Sequence, residues 1–189
     1  VEDQAGIVDA VWVGDVPTPE EMEATFGVAV DLNALIPPDV ALGALLTLNE
    51  PSARALGVPV GGGVMRAGDL ALLYQAFLHD PADLWSPEIL AAGTRDIRVT
   101  FTDMMGVPAN RSLGLIVAGD DGMADRRSFG RTASPLAFGH AGAGGQIAFA
   151  DPASGLSVAY LTAGMDQHLI RQSKRGVAIA SLGADLLAD

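Results

Sequence analysis

The chain has 189 residues, long enough for one domain with a real core. Hydrophobic residues make up 49% and charged residues 18%, which excludes a disordered chain, and a net charge of −12 argues against a nucleic-acid partner. There is no cysteine, so disulfides, thiolate nucleophiles and zinc–thiolate centres are excluded. No apolar run has the length of a membrane span, and the compartment stays open with the cytoplasm favoured. Lys174 is the only lysine among eleven Lys and Arg residues. Any catalytic lysine is therefore Lys174 or lies outside this sequence.

Residues 1–17 are mixed, with Gly14 and Pro17 as breakers. Thr18-Pro19-Glu20-Glu21 predicts a helix start, with Thr18 as cap, Pro19 in the first helical position and Glu21 completing a capping box. That helix ends near Gly27. Pro37 and Pro38 break the chain, and residues 39–48 read as a second, mostly buried helix. Gly57–Gly63 is a loop. Residues 68–79 carry apolar side chains at 70, 73, 74, 77 and 78, the spacing of one helix face. Ser86 caps a further helix.

Near residue 97 the pattern changes to strands. Residues 97–101 alternate, and 113–117 read as a strand. Residues 146–150 and 156–161 flank the turn sequence Asp151-Pro152-Ala153-Ser154-Gly155, which makes a hairpin. Residues 166–188 predict a closing helix with Val177, Ala180, Ala184 and Leu187 on one face. Helices followed by an antiparallel sheet and a C-terminal helix packed on it give an α+β chain. The division expected is 1–66, helical and loop, and 67–189, sheet and helix, within one domain.

Several chemistries fail on spacing. Gly142 and Gly144 begin a G-x-G, but Ile147 stands where a dinucleotide fingerprint needs glycine, and a strand follows, not a helix. His79, His140 and His168 are remote from one another, so no metal site is expected. His79 reads as a helix C-terminal residue, and His168 as an exposed residue in the first turn of the last helix. No serine sits in G-x-S-x-G. The segment FGHAGAGGQ, residues 138–146, remains. Glycines feeding a strand let backbone approach a ligand and leave N–H groups free for an oxyanion, with His140 beside them. A tight glycine turn with a space-filling histidine fits the same spacing, and the residues alone leave both open.

The segment FGHAGAGGQIAFADPASGLSVAYLTAGMD resembles the C-terminal part of the class C β-lactamase-like serine hydrolases, which include family VIII esterases and penicillin-binding-protein relatives. GVPVGGGVMRAGDLALLYQAFL is similar to that family's loop and helix before the last strands, and Trp85–Leu90 and Gly106–Arg111 agree with it. The resemblance implies a β-lactamase/transpeptidase-like sheet and three motifs. His140-Ala141-Gly142 matches the third, Lys/His-x-Gly. It implies His140 as the polar residue, Gly142 as room for substrate and the Ala143 N–H as one of two oxyanion donors, with Ala141 and Gly144 against the substrate. Ser-x-x-Lys and Tyr-x-Asn are absent: Arg171 precedes Lys174 by three, and the tyrosines read Tyr74-Gln75-Ala76 and Tyr160-Leu161-Thr162. Arg66 replaces the capping Ser or Thr usual before the Gly68 helix.

The resemblance thus implies the C-terminal part of a serine ester hydrolase, acting through an acyl-enzyme on a small ester or amide, inactive alone and with no cofactor. Ala141 and Ala143 lack the hydroxyls that would bind a β-lactam carboxylate, which favours esterase over β-lactamase. The expected partners are the N-terminal half bearing the nucleophile and, through apolar surface exposed without it, a second copy of the chain. A non-catalytic module that kept the third motif is the alternative.

Overall fold

A computed structural model describes residues 6–27, 42–59, 61–103 and 106–187. In chain order its elements are β1 (Val11–Val13), α1 (Pro19–Phe26), α2 (Leu42–Leu45), α3 (Pro51–Leu56), α4 (Ala67–His79), α5 (Pro87–Thr94), β2 (Ile116–Val117), β3 (Phe138–Ala141), β4 (Ile147–Asp151), β5 (Leu156–Tyr160), β6 (Gly164–Asp166) and α6 (Leu169–Ala184), with short 3₁₀ turns between some of them. The chain is α+β, as its pattern predicts. It divides into two units, one of residues up to Met65 with Thr162–Gln172, the other of Arg66–Leu161 with residues from Ser173 onward.

In the first unit, α1 starts as its sequence dictates. The Thr18 side chain accepts from the Glu21 N–H at 3.2 Å, and the Glu21 carboxylate accepts from the Thr18 N–H at 2.8 Å. Each satisfies a helix-end donor, a reciprocal arrangement that contributes about 1 kcal/mol. Gly27 closes the helix in the left-handed conformation. β1 pairs in parallel with β6, Val11 with Gly164 through Val13 with Asp166. Asn49 fastens the stretch before β1, accepting from the Ala10 N–H at 2.9 Å and donating to its carbonyl at 2.8 Å.

In the second unit, β2, β3, β4 and β5 form an antiparallel sheet in that order. β4 and β5 are the predicted hairpin, Ile147 opposite Tyr160 and Asp151 opposite Leu156. Successive residues of β4 face opposite sides of the sheet. Ile147 and Phe149 pack with Phe129, Ala137 and Ala180 of α6, while Ala148 and Ala150 pack with Phe138 and Tyr74 of α4. Both faces are covered, so all five residues of β4 are buried. That explains the unbroken apolar run. Each fully buried Phe contributes roughly 1.5–3 kcal/mol. Gly176 and Gly183 of α6 lie against Ile147 and Val158 and let the helix approach the sheet.

Several expectations change. The strand predicted at 113–117 shrinks to Ile116–Val117, because the Ser112 side chain accepts from the Leu115 N–H at 3.2 Å and folds that stretch into a turn. Residues 97–101 form only one isolated bridge, Val99 to Arg111, with a second just beyond them from Thr102 to Pro108, and Pro108 has no N–H to extend a ladder. In the predicted helix at 39–48, residues 39–41 and the Pro37-Pro38 break lie outside the described residues, and Leu46–Asn49 are 3₁₀. His168 is buried, not exposed; its Nε2 is 3.5 Å from the Glu21 carboxylate. α1 returns over it, a contact invisible to helix periodicity.

Candidate active site

β3 carries His140, and its surroundings follow from the lengths of its neighbours. β4 pairs with all of β3, Phe138 opposite Ala150 through Ala141 opposite Ile147. β2 pairs only with Phe138 and Gly139. The outer edge of β3 at His140 and Ala141 therefore extends past the β2 ladder, and His140 is exposed. Just before it, Gly139 allows a close approach. A Cβ there would stand 2.3 Å from the Ala148 carbonyl oxygen and 2.6 Å from the Phe149 Cα.

Beyond β3 the chain turns back through the predicted glycines. Gly142 is extended, and its N–H donates to the Gln146 carbonyl at 2.9 Å. Ala143–Gly145 make one 3₁₀ turn in which Gly144 and Gly145 have φ of 71° and 96°. Those angles favour glycine, which explains the pair. Ala143 is the first residue of the turn and exposed, and the leading N–H of a helical turn has no partner within it. Gly144 is buried, and its carbonyl accepts from Arg175 Nη2 of α6 at 3.4 Å. A Cβ at Gly142 would meet the Gln146 side chain at 3.0 Å.

His140, Ala141, Gly142, Ala143 and Gly144 thus occupy one continuous strand end and turn. Sequence reasoning missed Arg111. Its Nη1 lies 3.3 Å from His140 Nε2. Arg111 bridges Ile116, and Ile116 pairs with Gly139, so two rungs of backbone pairing bring the side chains together. No spacing signal could announce a contact across 29 residues.

Other chemical groups lie elsewhere. Tyr74 is buried in the core, and burial pushes its hydroxyl up to about 12. Two cavities of about 320 and 660 Å³ flank α5, the smaller lined by Phe77, Trp85 and Leu113, the larger by Ile97, Asp120 and Leu136. Neither includes His140 or the glycine turn. No helix among the described residues is long and apolar enough to cross a membrane.

Comparison with known proteins agrees with this sheet. The Beta-lactamase family model matches residues 6–180. A penicillin-binding protein homolog from Caulobacter crescentus is similar at 29% identity over 59% of this chain and 30% of its own, with a TM-score of 0.45. A β-lactamase from Mycobacterium bovis is similar at 19% identity over 74% of this chain and 54% of its own, with a TM-score of 0.52. The chain thus spans about a third and about half of those two proteins. No curated protein matches. With the family pattern running through nearly all of the described residues, this chain belongs to the β-lactamase family.

Proposed function

We propose that the chain forms the third-motif wall of a serine ester hydrolase whose nucleophile lies outside these 189 residues. The observation that carries this reading is the strand end itself. His140-Ala141-Gly142 leaves the cover of β2 and runs into a turn whose first N–H, that of Ala143, has no partner within the turn. Family membership supports acyl-enzyme chemistry, and the absence of Ser-x-x-Lys supports a nucleophile from elsewhere.

In this reading a serine oxygen bonds to the ester carbonyl carbon, and the carbonyl oxygen becomes an oxyanion received by the Ala143 N–H and by the N–H of the nucleophile. The carbon–alkoxy bond breaks, and the alcohol leaves with the proton the serine gave up. Water then splits the acyl-enzyme and restores the serine. His140 stands at the edge of the site, Gly142 leaves room beside the strand, and Ala141 and Gly144 border the substrate. Ala141 and Ala143 have no hydroxyl for a ring carboxylate, which supports an ester over a β-lactam. The polypeptide bearing the nucleophile is the first partner, and a second copy of this chain the other. This chain by itself turns over no ester.

The test is fluorophosphonate labelling read by intact mass, on this chain and on a longer polypeptide that contains it. Label on the longer polypeptide alone is the expected result. Label on this chain means that one of its own serines is activated and overturns the reading. Label on neither favours a non-catalytic module.

A further inference from the structure

We infer that Arg111 is a positioning residue that holds His140 in a single tautomer, with the proton on Nδ1 and the lone pair on Nε2. As a statement about a hydrolase this rests on the function proposed above; as a statement about the imidazole it stands alone. A guanidinium only donates, so the 3.3 Å contact from Arg111 Nη1 makes His140 Nε2 the acceptor. At the other side of the ring, Nδ1 meets the carbonyl oxygen of Ala141, which only accepts, so Nδ1 must carry the proton. Two contacts with unrelated partners demand the same tautomer. Which nitrogen of a histidine is protonated is set by the partner of the other, and here both are occupied.

The consequence is chemical. While Arg111 donates to Nε2, that nitrogen is not free to take a proton from a substrate or a nucleophile. The cationic side chain that touches His140 at this strand end is that of Arg111. The third-motif histidine then orders the arginine as much as the arginine orders it.

The experiment is a long-range proton–nitrogen correlation spectrum of the ¹⁵N-labelled chain at pH 8, above the ordinary imidazole range of about 6.5. The His140 signals are identified by their loss in His140→Gln. The expected pattern has Nδ1 pyrrole-like and Nε2 pyridine-like. Arg111→Ala raises the share of the Nε2-protonated form that free histidine prefers, because only the Ala141 contact then opposes it, while Arg111→Lys, which keeps a cationic donor, retains the wild-type pattern. A wild-type spectrum with Nε2 protonated overturns the inference, and so does an Arg111→Ala spectrum unchanged from wild type. The wild-type spectrum decides even if Arg111→Ala fails to fold. A chain with the Nδ1-protonated pattern whose longer polypeptide takes no fluorophosphonate keeps this inference and discards the hydrolase.

Discussion

Tyr74 of α4 stacks on Phe138 of β3, ring centroids 6.2 Å apart and planes 27° from parallel. Phe138 precedes His140 by two residues, so the same face of the same strand carries the core contact and then the candidate site. Phe77 meets Tyr74 edge-on at 5.9 Å. Tyr74→Ala leaves a hole beneath β3 and is expected to cost about 3–5 kcal/mol, read as a fall in the urea midpoint. Tyr74→Phe keeps the ring and loses far less. Equal midpoints for the two variants would show that the stack contributes nothing.

Gly139 has no room for a methyl group between Ala148 and Phe149, where it would strike the Ala148 carbonyl oxygen and the Phe149 Cα and Cβ, none of which is a flexible side-chain end. Gly139→Ala is expected at or above the upper end of the roughly 1–3 kcal/mol range of overpacking. Gly155 is the control. It sits at φ +73° in the hairpin turn with open space around it, so Gly155→Ala costs only backbone strain of about 1–2 kcal/mol. Thermal unfolding of the two variants, compared at one concentration, checks the order; Gly155→Ala as the worse variant would contradict it.

Arg127 is buried and forks onto Asp121, Nη1 to Oδ1 at 2.7 Å, while also donating to the carbonyls of Pro108 and Ala118. The Arg127 hydrogen bonds hold the Asp121 carboxyl down at about 2. In the unfolded chain an aspartate titrates near 3.9. The folded form thus binds its proton later, and the stabilisation is fully present above about pH 4 and disappears as pH falls toward 2. Asp121 is partly solvated, so the contribution is on the order of 1 kcal/mol after screening. Asp121→Asn is expected to flatten the acid limb of a stability–pH curve between pH 4 and pH 2. An unchanged slope would assign that limb to other carboxylates.

Asp166 and Asp15 share Arg171 on unequal terms. Asp166 is 2% exposed, takes Nε at 2.9 Å and Nη2 at 2.7 Å, and also accepts from the His168 N–H at 2.9 Å. Asp15 is at the surface and takes only Nη1 at 3.3 Å. Asp166→Asn keeps one acceptor oxygen but sets a buried NH2 against the donors that faced the other and removes the charge opposite Arg171, whereas a surface pair is screened. Asp166→Asn should therefore lower the melting temperature clearly more than Asp15→Asn. Similar shifts for both would mean that the network acts through its solvent-facing half.

The features legible in the chain alone are local ones. Thr18 and Glu21 cap α1, Ser86 accepts from the Ile89 N–H to start α5, Arg66 leaves α4 without a side-chain cap, and the β4–β5 hairpin has its turn at Asp151–Gly155. Each depends on residues within a few positions of one another, where conformation and capping are written in residue type. The glycines after His140 left a tight turn and an oxyanion-binding strand edge both open, and the structure places a turn at Ala143–Gly145.

The remaining features arise only when distant segments meet. The β1–β6 pair joins segments at opposite ends of the chain, with no alternation in three residues to announce it. His168 is buried, and its Nε2 lies 3.5 Å from the carboxylate of Glu21, almost 150 residues earlier in the chain. The contact of Arg111 with His140 requires β2 to stop opposite Gly139. Strand length, register and the packing of remote segments are set by competition among all pairings at once, and a short stretch of sequence does not record which pairing wins.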